Sequence, residues 1–285
     1  NSAELKNIIT YANRNRIIHM CIFLCIMIGG VILKWLDDNL IYAFSIMFGL
    51  GVAGRLVSAF FLSRKSVTDR GSDQHVHTFS EIMLDKVKRV YIMYTTSISF
   101  SVMFLGPLFT IYILRTMQLD YVVLTLCMSA WWVGNVFSSN YWGRLTKKIG
   151  NLAVLKLTTA FMCGLPILWI SVYYFSDPGR VVGSICINVL AGITFAGYGL
   201  SSFNIVYDIS RDSEVVKFTS LINCIRGLGV FVGSVLAGMI VDSSYLQSIL
   251  YNVDFTTIQL SMVISIVLRC FSYLFLINLK SKVAR

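Results

Sequence analysis

Charge is scarce in this sequence. Asp, Glu, Lys and Arg make up 13% of its 285 residues, against roughly a quarter in an ordinary water-soluble chain. With 56% of the residues hydrophobic, that scarcity excludes a soluble domain and requires lipid to take the place of a charged surface. Acids are missing where they would be most costly: all fourteen fall in the gaps between apolar runs, as a bilayer demands of carboxylates. A basic stripe interleaved with aromatics is also missing, so the net charge of +10 does not indicate a nucleic-acid partner. The seven cysteines all lie inside apolar runs, where a thiol behaves as a small hydrophobe. Cys21 with Cys25, and His75 with His77, lack two further ligands at zinc spacing. No metal, cofactor or disulfide is therefore expected. Neither is enzymatic chemistry, because clusters of His, Asp or Glu at usable spacing near a membrane interface are absent. The chain starts at Asn1 with no signal-peptide pattern, so a truncated N-terminus is expected.

What is present is a series of apolar segments of membrane-spanning length. A hydrocarbon core needs about 20 apolar residues per helix, and eight segments qualify: about 17–36, 40–62, 90–114, 121–143, 152–175, 181–207, 217–241 and 256–279. The expected fold is an all-α polytopic transmembrane bundle. Lys and Arg set its orientation. One set of loops, counted with both termini, carries seventeen basic residues, and the other carries only Lys34, Arg115 and Arg180. Both termini of this chain are therefore expected on the cytoplasmic side of a cell (inner) membrane. The one long connection, 63–89, separates two helices from six. Elsewhere the loops are short, so neighbours should pack antiparallel. Small residues at spacing four, Gly229, Gly233 and Ala237 on one helix and Gly192 and Ala196 on another, offer the close approach that membrane helices need. Pro107 and Pro166 fall inside helices, where a missing N–H is expected to bend the rod.

An internal repeat adds architecture. Arg55-Leu-Val-Ser58-Ala-Phe-Phe61-Leu62 aligns with Arg269-Cys-Phe-Ser272-Tyr-Leu-Phe275-Leu276, each followed within a few residues by a basic segment. Both run in the same direction across the membrane, so the repeat is parallel. Parallel six-helix halves mark the major facilitator architecture, and on that pattern the eight helices are numbers five to twelve of twelve. Residues 1–62 would then close the N-terminal half, 63–89 would be the linker, and 90–285 would be the complete C-terminal half.

A second resemblance lies in Trp142-Gly143-Arg144-Leu145-Thr146-Lys147-Lys148-Ile149-Gly150-Asn151. It resembles the short cytoplasmic loop signature of the major facilitator superfamily at Gly143, Arg144, Lys148 and Gly150. Lys147 stands where an aspartate is usual, and Asn151 replaces a second basic residue. The resemblance implies a tight turn between helices eight and nine and leaves the aspartate's charge relay unsupported. Asn204 to Asp208 resembles the inner end of helix ten, and Asn1 to Leu5 the corresponding end of helix four. The texture is similar to bacterial members of unassigned substrate.

The resemblance implies transport of a small solute by alternating access, in a monomer embedded in lipid. Arg226 is the leading candidate for substrate contact. It lies about nine residues, roughly 13 Å, into a helix that lines the central cavity in the family, and Asn223 is one turn away. Two roles are open to it: binding an anionic or hydroxyl-rich solute through its five donors, or hydrogen-bonding helix-end carbonyls. Further candidates are Tyr94, Ser97 and Ser101 on helix seven, Trp131 and Asn135 on helix eight, and Tyr198 on helix ten. Arg55 and Arg269, matched by the repeat, are expected to serve a structural role, since a central arginine costs about 2.5–3.5 kcal/mol unless paired or hydrated. No Asp or Glu lies within the membrane segments, and His19 is near the surface. A coupling proton or sodium ion, if used, would be handled by helices upstream; otherwise the protein is a facilitator. A transporter-like sensor or scaffold that does not transport is the alternative.

Overall fold

Backbone in lipid must satisfy its own hydrogen bonds, and for apolar runs of this length the helix is the available solution. The computed structural model describes residues 17–64 apart from 19, 23, 27, 33, 34, 37 and 38, together with 79–211, 214–251, 256–277 and 279. In order these form α1 (Leu40–Ser63), α2 (Phe79–Leu84), α3 (Lys86–Met103), α4 (Leu108–Ile111), α5 (Tyr121–Ile149), α6 (Asn151–Tyr173), α7 (Asp177–Ile209), α8 (Val215–Val241), α9 (Ser244–Tyr251) and α10 (Thr257–Ile277). Among the described residues, seven helices are long and apolar enough to cross a membrane, counting Lys86–Thr116 as one span. The remaining expected span, 17–36, falls partly outside the described residues, and a shorter apolar helix runs over Met20–Ile32 within it. His19, His75, His77, Asn1 to Leu5 and most of the 63–89 connection also lie outside them.

The two inner prolines act differently. Pro107 interrupts its span: the chain turns through 104–107, with Gly106 N–H on Val102 O (3.1 Å) and Leu108 N–H on Leu105 O (3.0 Å). It resumes as α4 and a wide π turn over Tyr112–Thr116. Pro166 sits inside an unbroken α6. The segment 90–114 expected as one bent helix is therefore two helices joined by a turn, with its start moved back to Lys86, where Asp85 caps it by accepting from Val87 N–H (2.9 Å).

Between α5 and α6 the whole connection is Gly150, at φ 87°, a left-handed conformation in which any side chain would be strained. The tight turn implied by the loop signature is present. Asn151 then ties the start of α6 to the end of α7, donating to Asp208 Oδ2 (2.8 Å) and accepting from Asn204 (3.0 Å). Through Asn151 the α5–α6 turn is thus hydrogen-bonded to the end of α7, with the Asp208 carboxylate as one acceptor.

Helices α3, α6, α7 and α10 form the centre of the C-terminal bundle, with α5 packed on α7 and α8 on α3. Glycine sets the tightest crossing. A Cβ on Gly192 would lie 1.9 Å from Trp131 O, and one on Gly134 would lie 2.2 Å from Val189 O, so α5 and α7 touch backbone to backbone. On α8, Gly229 faces Thr96 and Gly233 faces Phe100 O of α3, with Ala237 fully buried beyond them. Two apolar clusters fill the bundle. One surrounds Tyr112, Trp169 and Met262, and the other surrounds Tyr91, Ile205 and Phe218. In α1, Ala43 is buried, and nearly all its other described residues are exposed.

Candidate functional site

Hydrogen bonds of the polar side chains decide which sequence candidates come together. Three of them bond within α3 or toward α6 and α10. Tyr94, fully buried, bonds Thr159 Oγ1 of α6 (2.6 Å). Ser97 bonds Ser272 of α10 (2.7 Å). Ser101, also fully buried, bonds Ile98 O, while its own carbonyl accepts from Ser265 of α10 (2.7 Å). The Tyr94 and Ser97 hydroxyls and the Ser101 carbonyl thus hold α3 against α6 and α10.

A different set does gather. Arg226 and Asn223 are exposed on α8, and Arg226 is eleven residues past Val215, about 17 Å along the axis and near the helix centre. It lies within electrostatic range of Tyr91 on α3 and Tyr198 on α7. Tyr91 donates to Ser202 O of α7 (2.6 Å), fastening α3 to α7. The Tyr198 hydroxyl is buried, facing the hydroxyls of Ser99 and Ser202. From Tyr198 an aromatic run continues through Phe195 (centroids 6.4 Å apart) to Trp131 (6.1 Å) and Trp132 (4.6 Å). Such offset and edge contacts make a stiff apolar wall. Asn135 is buried beside Gly134 at the α5–α7 crossing.

Trp131 also divides two cavities. One, of about 330 Å³, is lined by Ile26, Phe109, Cys127, Trp131, Trp132 and Asn188 among others, and so lies between the Met20–Ile32 helix and the C-terminal bundle. The other is a cleft in the bundle, about 220 Å³, and reaches Arg269.

Sequence reading missed several of these residues. Phe195 and Asn188 looked like ordinary members of an apolar helix, and only their neighbours distinguish them. Lys88 and Glu214 form a buried ion pair, 6% and 5% exposed, at the Gly150 end of the bundle, with the Lys88 ammonium 5.9 Å from the Phe218 ring centre. The basic run around Lys88 was legible only as loop charge, because its partner is 126 residues away.

Arg55 and Arg269, equivalent in the repeat, have different surroundings. Arg55 is exposed on α1. Arg269 is 5% exposed and donates through Nη1 to Met162 O (2.5 Å). That carbonyl is one turn before Pro166, whose ring nitrogen has no proton to give it. Arg269 thus supplies the donor that proline removes. A double-mutant cycle checks this: in a Pro166→Ala background, where a helix N–H can serve Met162 O, Arg269→Met should destabilise by about 1–2 kcal/mol less than in the parent. Equal losses in thermal unfolding would refute the coupling. Arg144 and Lys148 of the loop signature are exposed at the Gly150 end, Arg144 Nε approaching Asn140 O (3.4 Å), and Gly143 has open space where a Cβ would stand.

These spans make the chain a multi-pass membrane protein. No curated protein matches it. The family model described as Major Facilitator Superfamily matches residues 16–234, most of the chain, as the parallel helix repeat and the Gly150 turn anticipate, and the protein belongs to that family of membrane transporters.

Proposed function

We propose that the protein moves a small anionic or hydroxyl-rich solute by alternating access, the C-terminal half at 90–285 rocking against an N-terminal half to which 1–62 belongs. One observation carries the reading. A guanidinium at the centre of an apolar helix, Arg226, is exposed on α8 near the exposed amide of Asn223 and within electrostatic range of Tyr198. A charge at that depth is retained where it meets water, a counter-charge or a ligand. The wall from Tyr198 through Phe195 to Trp131 would flank the solute, and Asn135 would support the α5 side of it. Basic residues concentrate at the Gly150 end, at Lys86, Arg89, Arg144, Lys147, Lys148 and Lys217, whereas Arg115 and Arg180 are at the other. That bias supports an inward-facing Gly150 end in a cell membrane, where the loop signature from Gly143 to Gly150 would act at the cytoplasmic gate.

Counterflow in proteoliposomes with a broad solute panel tests the reading. Arg226→Ala should lower uptake of the accepted solute roughly ten- to a hundred-fold, the loss expected for a charged hydrogen bond, with Arg226→Lys intermediate. Unchanged uptake in Arg226→Ala would remove Arg226 from the site. Absence of counterflow for every solute would favour a sensor or scaffold role.

A further inference from the structure

The cavity of about 220 Å³ is a partly open cleft in the C-terminal bundle, lined by the span containing α3 and α4 and by α5, α6, α7 and α10. Its wall is mainly apolar and aromatic, with Phe109, Trp131, Trp169 and Phe195 contributing rings, and the polar side chains lining it are Asn188 and Arg269. Arg269 is half satisfied there. Nη1 bonds Met162 O, while the buried Nε–H meets no acceptor. Among the described residues, no carboxylate pairs with it, the ion pairs being Lys88 with Glu214 and Arg180 with Asp177. A guanidinium in a low-dielectric pocket with a buried donor unmet is strongly favourable ground for an anion.

The anion's class follows from the wall. One cation and one amide suit a single negative charge and not a phosphate dianion. A bare halide would leave the aromatic space unfilled. A cavity of about 150 Å³ already accepts benzene, so this one holds a ring with room for a carboxylate. We propose that this cavity binds a small monocarboxylate with an aromatic or branched apolar body, its carboxylate on the Arg269 guanidinium and its body among Phe109, Trp131 and Trp169. The cavity shares Phe195 and Trp131 with the wall proposed to flank the transported solute, but its cation is Arg269, and Arg226 does not line it.

Binding of radiolabelled benzoate to the purified full chain in phosphatidylcholine nanodiscs tests it. Saturable binding is expected, with benzamide, the neutral isostere, competing roughly ten- to a hundred-fold less well. Arg269→Gln should weaken benzoate to the same degree. Ala191→Phe, which fills the cavity and keeps the guanidinium, should abolish binding, and it decides the matter where Arg269→Gln does not fold. Arg226→Ala should leave benzoate binding intact. No saturable binding, equal competition by benzamide, or full binding in Ala191→Phe would overturn the proposal. Loss of binding in Arg226→Ala with retention in Ala191→Phe would overturn it too, and would place benzoate in the transport site instead.

Discussion

Gly192→Ala is expected to force α5 and α7 apart and to lower stability by about 2 kcal/mol or more. A helix gains about 0.5–1 kcal/mol when alanine replaces an interior glycine. Here the new methyl would lie 1.9 Å from Trp131 O and 2.9 Å from its carbonyl carbon, and backbone cannot rotate aside as a side chain can. Overpacking of this kind typically costs about 1–3 kcal/mol, and the contact at Gly134 must open with it. Gly199, on the same helix, has nothing within 4 Å of its would-be Cβ. Gly199→Ala should therefore be neutral or slightly stabilising. Thermal unfolding in detergent, followed by size exclusion, separates the two, and equal midpoints would mean that the crossing is not set by glycine.

Lys88→Met should destabilise by about 3–5 kcal/mol, because it strands Glu214 without its partner in a buried position. Adding Glu214→Gln should recover most of that loss. Replacing a whole buried pair by neutral groups is often close to neutral, whereas halving it is not. The pair joins the first turn of α3 to the residue preceding α8, so the single variant should also loosen the Gly150 end. Unfolding midpoints of the two single variants and the double variant provide the check. A double variant as unstable as Lys88→Met would show that the pair's value lies in more than charge balance.

Seven of the spans and the turn at Gly150 were legible in the sequence because each depends on local properties. A run of about 20 apolar residues must cross lipid, and a glycine between two such runs can take positive φ. Arg226 was legible as an anomaly for the same reason. The membrane also hid much of the site. In a helix bathed in lipid every face is apolar, so periodicity does not say which face meets a neighbour. Tyr94, Ser97 and Ser101 share α3 with Tyr91, yet they serve α6 and α10. Nothing along the chain distinguishes them from cavity residues.

By itself, the sequence determined the solvent, the helical class and the family, since hydropathy and short motifs act over a few turns of chain. Tertiary structure alone decided the partners. It set Arg269 against the carbonyl that Pro166 leaves unserved, 107 residues away at Met162, closed Lys88 on Glu214, and joined Tyr198 to Trp131 through Phe195. Each of these is a long-range pairing of polar or aromatic groups that lipid would otherwise leave unsatisfied or apart, and only the packing of helices brings them within reach.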